Sequence, residues 1–465
     1  MVFSSLTFLF LFLSVTLFAY FIVPRRGWRN GVLLAASLFF YAWGEPYYVA
    51  VMLLASAVAY FGGLLLEKAK RGRARKTVLT VTVCLLLANL LAFKYLNFFA
   101  ENLGLLLGRD LGLREIALPI GISFFTFQIL SYVIDLYRGE VAVQKNFLRL
   151  LLYVSFFPQL IAGPIVRYQT VEREITERRE SMEDVLYGTK RFVRGLAKKV
   201  ILANGVAGTA ELIYGADAAV CGSAAYWIAA IAYAMQIYFD FSGYSDMAIG
   251  LGRIFGFHFL ENFDHPYRAK SITDFWRRWH ISLSSWFRDY VYIPLGGNRV
   301  SRPRWVLNIL IVWALTGFWH GAQWNFLLWG LYYGLLLLGE KLLWGRGLEK
   351  LPGAIRWLIT IFLVVLGWVL FDLTDFAQLR AVLEGMFSLR ATDWPGLIAL
   401  EGSLVRGAVY LPLGAVCLLP WEKWLPETER GVRRVLSYGF HLLLLVVCVT
   451  LLISAQYNPF IYFRF

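Results

Sequence analysis

Four stretches of this chain, from Leu6 to Val23, Val78 to Phe93, Trp305 to Leu338 and His441 to Phe463, contain no Asp, Glu, Lys or Arg. About 20 apolar residues in a helix cross the ~30 Å of bilayer hydrocarbon, and only helices or closed barrels satisfy their own backbone there. Composition agrees, since 59% of the 465 residues are hydrophobic and only 16% charged, outside the range of soluble domains. The expected fold class is therefore all-α. It should be a polytopic transmembrane helical bundle of about ten to eleven spans with re-entrant or amphipathic segments. The first run should remain as a membrane helix, because no Lys or Arg precedes it and Pro24-Arg25-Arg26 follows it directly.

The net charge of +14 is clumped at Arg25 to Arg29, Lys68 to Lys76, Arg167 to Lys199, Arg268 to Arg304 and Lys423 to Arg434. Such clumping is the positive-inside pattern and not a nucleic-acid footprint. With those clusters in the cytoplasm, both termini should lie outside the inner membrane and the full crossings should be even in number, with re-entrant segments blurring the count. Cys84, Cys221, Cys417 and Cys448 have no paired spacing and no His at metal-ligand distance in sequence, so neither a disulfide framework nor a metal site is expected. Thr170 to Lys199, with interleaved Arg, Lys and Glu, reads as one or two charged helices on the cytoplasmic face. No internal repeat of the transporter kind is visible.

The run from Trp305 to Leu338 is too long for one span, as it would reach ~50 Å in continuous helix. It should turn back at Thr316-Gly317-Phe318-Trp319-His320-Gly321, which places His320 about 24 Å above Arg304, in the outer half of the bilayer. An imidazole there either faces a functional cavity or packs between helices on a carbonyl. His280 belongs to a different setting. Phe275, Trp279, Leu283, Trp286 and Tyr290 recur at three or four residues, which predicts one amphipathic helix at the cytoplasmic interface. Its Arg277 and Arg278 either cradle a phosphorylated donor or meet anionic lipid. Asp240 and Asp246 are carboxylates within an apolar stretch, either acceptors that hold helices together or members of the active cavity, and the structural role is the one expected for both. His258, His265 and His441 read as solvated or interfacial.

Five motifs in order carry a resemblance: Leu118-Pro119-Ile120-Gly121-Ile122-Ser123-Phe124; Ala162-Gly163-Pro164; Tyr238 to Gly252 (YFDFSGYSDMAIGLG); Phe275 to Ser284 (FWRRWHISLS); and Trp319-His320-Gly321. Together they resemble the membrane-bound O-acyltransferase family, in its bacterial branch that acetylates alginate and peptidoglycan. The likeness implies one integral-membrane domain over 1–465, with its core in 1–338, C-terminal helices in 354–465 and an extracytoplasmic tail at 456–465. It also implies that His320 is the catalytic histidine, that His280 is the second, cytoplasm-facing one, and that two funnels meet in a waist beside His320. The tail Asn458-Pro459-Phe460-Ile461-Tyr462-Phe463-Arg464-Phe465 is similar to that of the small protein accompanying teichoic-acid D-alanylation. That likeness makes Tyr462 an acyl relay, where composition alone reads an aromatic anchor.

The expected activity is transfer of acetyl groups from cytoplasmic acetyl-CoA to an extracytoplasmic polysaccharide, with His320 as general base. The sequence contains no Gly-x-Ser-x-Gly elbow, so a serine esterase-like (SGNH-type) partner outside the membrane is expected. The alternatives are an acyltransferase that takes D-alanyl or another acyl group from a carrier-protein thioester, and a polysaccharide or lipid transporter.

Overall fold

The computed structural model describes residues 1–70, 72–112, 116–161, 163–400, 404–421, 431–454 and 460–461, and every regular element among them is helical. Among the described residues five helices are long and apolar enough to cross a membrane: Val49–Lys68, Arg73–Lys94, Trp324–Glu349, Gly353–Asp372 and Val432–Ser454. Thr7–Ile22, Leu96–Leu107 and Leu404–Cys417 are shorter apolar helices. Ser223–Ile254 and Arg302–His320 are also long, and they carry the polar side chains discussed below.

The chain forms two compact units, residues 1–192 with 244–261, and residues 193–243 with 262–465. The first unit packs Phe3, Phe8, Phe12, Phe40 and Phe157 into one aromatic cluster. The charged stretch after Thr170 folds as Tyr168–Glu177 and Met182–Ala197. Between them Glu180 pairs with Arg26 at 2.5 Å and also with Arg29, and Arg178 Nε donates to the carbonyl of Phe255 at 2.9 Å. The buried carboxylate of Glu180 is thus matched by half-buried guanidinium groups, as burial of an ion demands. His258 is held there too, with Nδ1 2.6 Å from Glu174.

In the second unit Arg302–His320 and Trp324–Gly339 run as a hairpin. A Cβ on Gly317 would overlap the carbonyl oxygen of Phe326, and one on Gly330 would overlap that of Trp313. Small residues at a membrane helix contact permit this close approach. The turn falls within the expected segment, at its last residue. Helix continues through Gly317 to His320, and the chain reverses at Gly321, which is extended at φ −164°. Gly317 therefore serves packing, and Gly321 makes the break. Gly353–Asp372 then lies against the hairpin, with the Tyr332 hydroxyl donating to the carbonyl of Leu363 at 2.8 Å.

Candidate active site

The hairpin sets His320 at the end of its first helix, 5% exposed. Its ring meets Trp329 edge-on at 5.1 Å and Phe371 at 5.3 Å, and Trp319 lies 4.9 Å away. Trp329 comes from the second arm of the hairpin and Phe371 from the end of Gly353–Asp372, so three helices hold one imidazole. Edge-to-face contacts of this kind fix ring orientation as well as burying area.

His280 also packs against Trp319, at 6.0 Å between ring centroids, and Phe241 lies 4.7 Å from it. The expected single amphipathic helix is corrected here. The segment is two short helices, Ile272–Arg278 and Ile281–Phe287, with His280 between them in the left-handed conformation at φ 46°. Asn262 enforces the break. Its carbonyl accepts the Ile281 N–H at 3.0 Å, and its side-chain Oδ1 accepts the Ser282 N–H at 3.2 Å and the Ser282 hydroxyl at 2.9 Å. Those two donors fix which end of the amide is oxygen, so His280 Nδ1, 3.2 Å from the same Oδ1, carries the proton. Nε2 is then a bare acceptor, and it has no hydrogen-bond partner among the described residues. Burial without a countercharge pushes the His280 pKa down to about 3, so the ring is neutral.

Two buried donors also without partners among the described residues, the indole N–H groups of Trp276 and Trp329, lie in the same aromatic cluster, their rings 5.5 Å apart. Unsatisfied buried polar atoms are rare in folded proteins, and such groups mark places where a ligand or water completes the bonding. Beside Trp276 opens a cavity of about 250 Å³ lined by Ser284, Arg288, Trp313, Thr316 and Lys341. Thr316, which lines the cavity together with the cationic Arg288 and Lys341, is one helical turn from His320. Among the described residues no three His, Cys, Asp or Glu converge as a metal site.

The arginines divide in two. Arg278 is bound by Asp274 at 2.7 Å and Asp264 at 3.3 Å, which ties the short helix to the preceding loop, whereas Arg277 is exposed. Sequence reasoning missed Asn262, which falls between the motifs ending at Gly252 and beginning at Phe275. It also missed Glu340, whose carboxylate caps the N–H groups of Ile272 at 2.7 Å and Thr273 at 3.2 Å. An Asn or Glu in isolation carries no spacing signal. Tyr462 lies outside the described residues.

A family model described as the membrane-bound O-acyltransferase family matches residues 138–373. The chain is 42% identical over 393 residues to a Pseudomonas aeruginosa protein named "Probable alginate O-acetylase AlgI", covering 83% of this chain and 75% of that one. A Pseudomonas putida protein of the same name is 37% identical over the full length of both. The peptidoglycan O-acetyltransferase of Helicobacter pylori is 34% identical, covering 84% of this chain and 81% of that protein.

Proposed function

From the premise that this chain belongs to the membrane-bound O-acyltransferase family, we propose that it takes acetyl groups from acetyl-CoA at the cytoplasmic face and passes them outward to O-acetylate a cell-envelope or exported polysaccharide. The family membership and the relatives' names make it a membrane O-acyltransferase. The donor, the sidedness and the acceptor are our reading. The observation that carries it is the buried His320, clamped by Trp329 and Phe371 at one end of a chain of aromatic and imidazole rings that reaches His280.

In this scheme the donor's phosphates meet Arg277 and the cavity cations Arg288 and Lys341, with Arg278 supporting the loop that holds them. The pantetheine arm enters beside Trp276, and its amide N–H groups suit the bare Nε2 of His280. The Tyr462 hydroxyl is the first acceptor. His320 takes its proton as the oxygen attacks the thioester carbonyl, the C–S bond breaks, and the leaving thiolate recovers the proton. The tyrosyl ester then gives its acetyl group to a serine esterase-like partner outside the membrane, which loads the polymer.

His320→Ala tests the scheme. With [14C]acetyl-CoA supplied directly and no carrier protein, acetyl transfer by the purified protein should fall about 10² to 10⁴-fold while insertion is normal. Near-normal transfer by this variant would remove His320 from the chemistry, and failure of the wild type to use acetyl-CoA would point to a carrier-bound donor.

A further inference from the structure

Asp240 has no task in the chemistry above. It is 1% exposed and lies about 26 Å along the helix Ser223–Ile254, near its middle. A carboxylate so placed demands a cation and donors. Lys199 Nζ stands 2.6 Å from its Oδ1, and the main-chain N–H of Ile461 donates to Oδ2 at 2.7 Å.

The surroundings are built to bring these groups together. Lys199, 3% exposed, sits in the π-helical stretch Lys198–Ala203, a wider turn that is uncommon and often marks functional sites. Gly243 lies one turn from Asp240, and a Cβ there would stand 2.7 Å from the carbonyl oxygen of Gly195, 3.1 Å from Lys198 Cβ and 3.2 Å from the Lys199 nitrogen. Only glycine allows the lysine-bearing backbone that close. Phe460 lies under the ammonium, 6.0 Å from Nζ to the ring centroid, and both Phe460 and Ile461 are buried.

A buried ion pair is a poor way to hold two helices, since apolar residues of equal volume do it as well or better. What this pair supplies instead is a charged acceptor for a main-chain N–H arriving from elsewhere in the chain. We propose that Asp240 and Lys199 form a docking site for the chain's own C-terminal segment, gripping the Ile461 amide and seating the side chains of Phe460 and Ile461. Phe241, the next residue after Asp240, packs on His280 at 4.7 Å, so the dock adjoins the aromatic site on one helical turn. The dock's purpose rests on the acyl-relay reading, because Tyr462 follows Ile461 directly, and Asp240 is then a positioning residue for it.

Two double variants separate the possibilities without leaving a lone buried charge. Asp240→Asn with Lys199→Met keeps an acceptor, whereas Asp240→Leu with Lys199→Met removes it. In a background where Cys84, Cys221, Cys417 and Cys448 are Ala, Ile461→Cys reports exposure of the segment to a membrane-impermeant maleimide. Labelling should be slow with the native pair and with Asn/Met, and at least about tenfold faster with Leu/Met, as expected when a local contact opens. Equal labelling in all three overturns the dock. With native Ile461, Leu/Met should lose acetyl transfer as fully as Tyr462→Phe while the Kd for acetyl-CoA is unchanged. Should Leu/Met expose residue 461 yet transfer acetyl normally, the dock stands and its role in acyl relay falls. That outcome is distinct from failure of His320→Ala to lose activity, which would sink the transferase scheme itself.

Discussion

The left-handed backbone at His280 and its neutral ring have a joint consequence for acid stability. The unfolded imidazole titrates at the ordinary 6.5 and the folded one at about 3. Between those values the unfolded state binds more protons, so stability falls as pH drops through 6.5 and the loss levels off near 3. At pH 5 this one group should cost about 2 kcal/mol relative to neutral pH. His280→Asn is the informative comparison, because Asn tolerates the left-handed region and keeps a donor near the Nδ1 position while removing the titration. Thermal unfolding in detergent at pH 7 and pH 5 should show the acid-induced drop shrinking by about that amount in the variant. An unchanged drop would place the acid-sensitive group elsewhere. The position of His280 within its motif was legible in the sequence. Its backbone was not, because the aromatic period of three and four runs through it unbroken, and the residue that breaks the helix, Asn262, lies eighteen positions upstream.

Among the elements, the hairpin of Arg302–His320 and Trp324–Gly339 sets where His320 stands. That the run must reverse follows from its length. The register of the reversal depends on where Gly317 meets Phe326 and Gly330 meets Trp313, contacts that no one-dimensional pattern specifies. Gly330→Ala sets a methyl against a backbone carbonyl that cannot yield, so the arms must separate and carry His320 away from Trp329 and Phe371. A shift of about 1 Å at a catalytic group can cost up to ~10² in rate. Acetyl transfer should accordingly drop at least about tenfold, mainly in kcat, with the protein still inserted. Gly347→Ala, where the added Cβ meets nothing within 4 Å, should leave transfer unchanged. Equal activity of the two variants would mean that the hairpin spacing does not position the imidazole.

For the whole molecule, the class of fold and the family were readable from uncharged runs and five motifs in order, because hydrocarbon thickness and motif spacing are both linear quantities. The relation of the C-terminus to the site was only half readable. The aromatic tail and its tyrosine were visible, but the acceptor for its main chain, Asp240, read as a structural carboxylate, since pairing across more than two hundred residues leaves no local trace. If the tail carries the acyl group, acetyl passes through a covalent ester on this chain before any polymer receives it. An unperturbed tyrosine titrates near ~10 and needs a base at neutral pH, so the ester should form only where His320 is intact. Wild-type protein given acetyl-CoA and then digested should yield a C-terminal peptide heavier by one acetyl group. The added mass should vanish in His320→Ala and in Tyr462→Phe, and hydroxylamine should remove it, as it removes an ester. Tyr462→Phe should still bind acetyl-CoA with wild-type affinity, since the phenol takes no part in holding the donor. Normal polymer acetylation by Tyr462→Phe would reduce the tail to a membrane-interface anchor and require that the partner's hydroxyl attack the thioester directly.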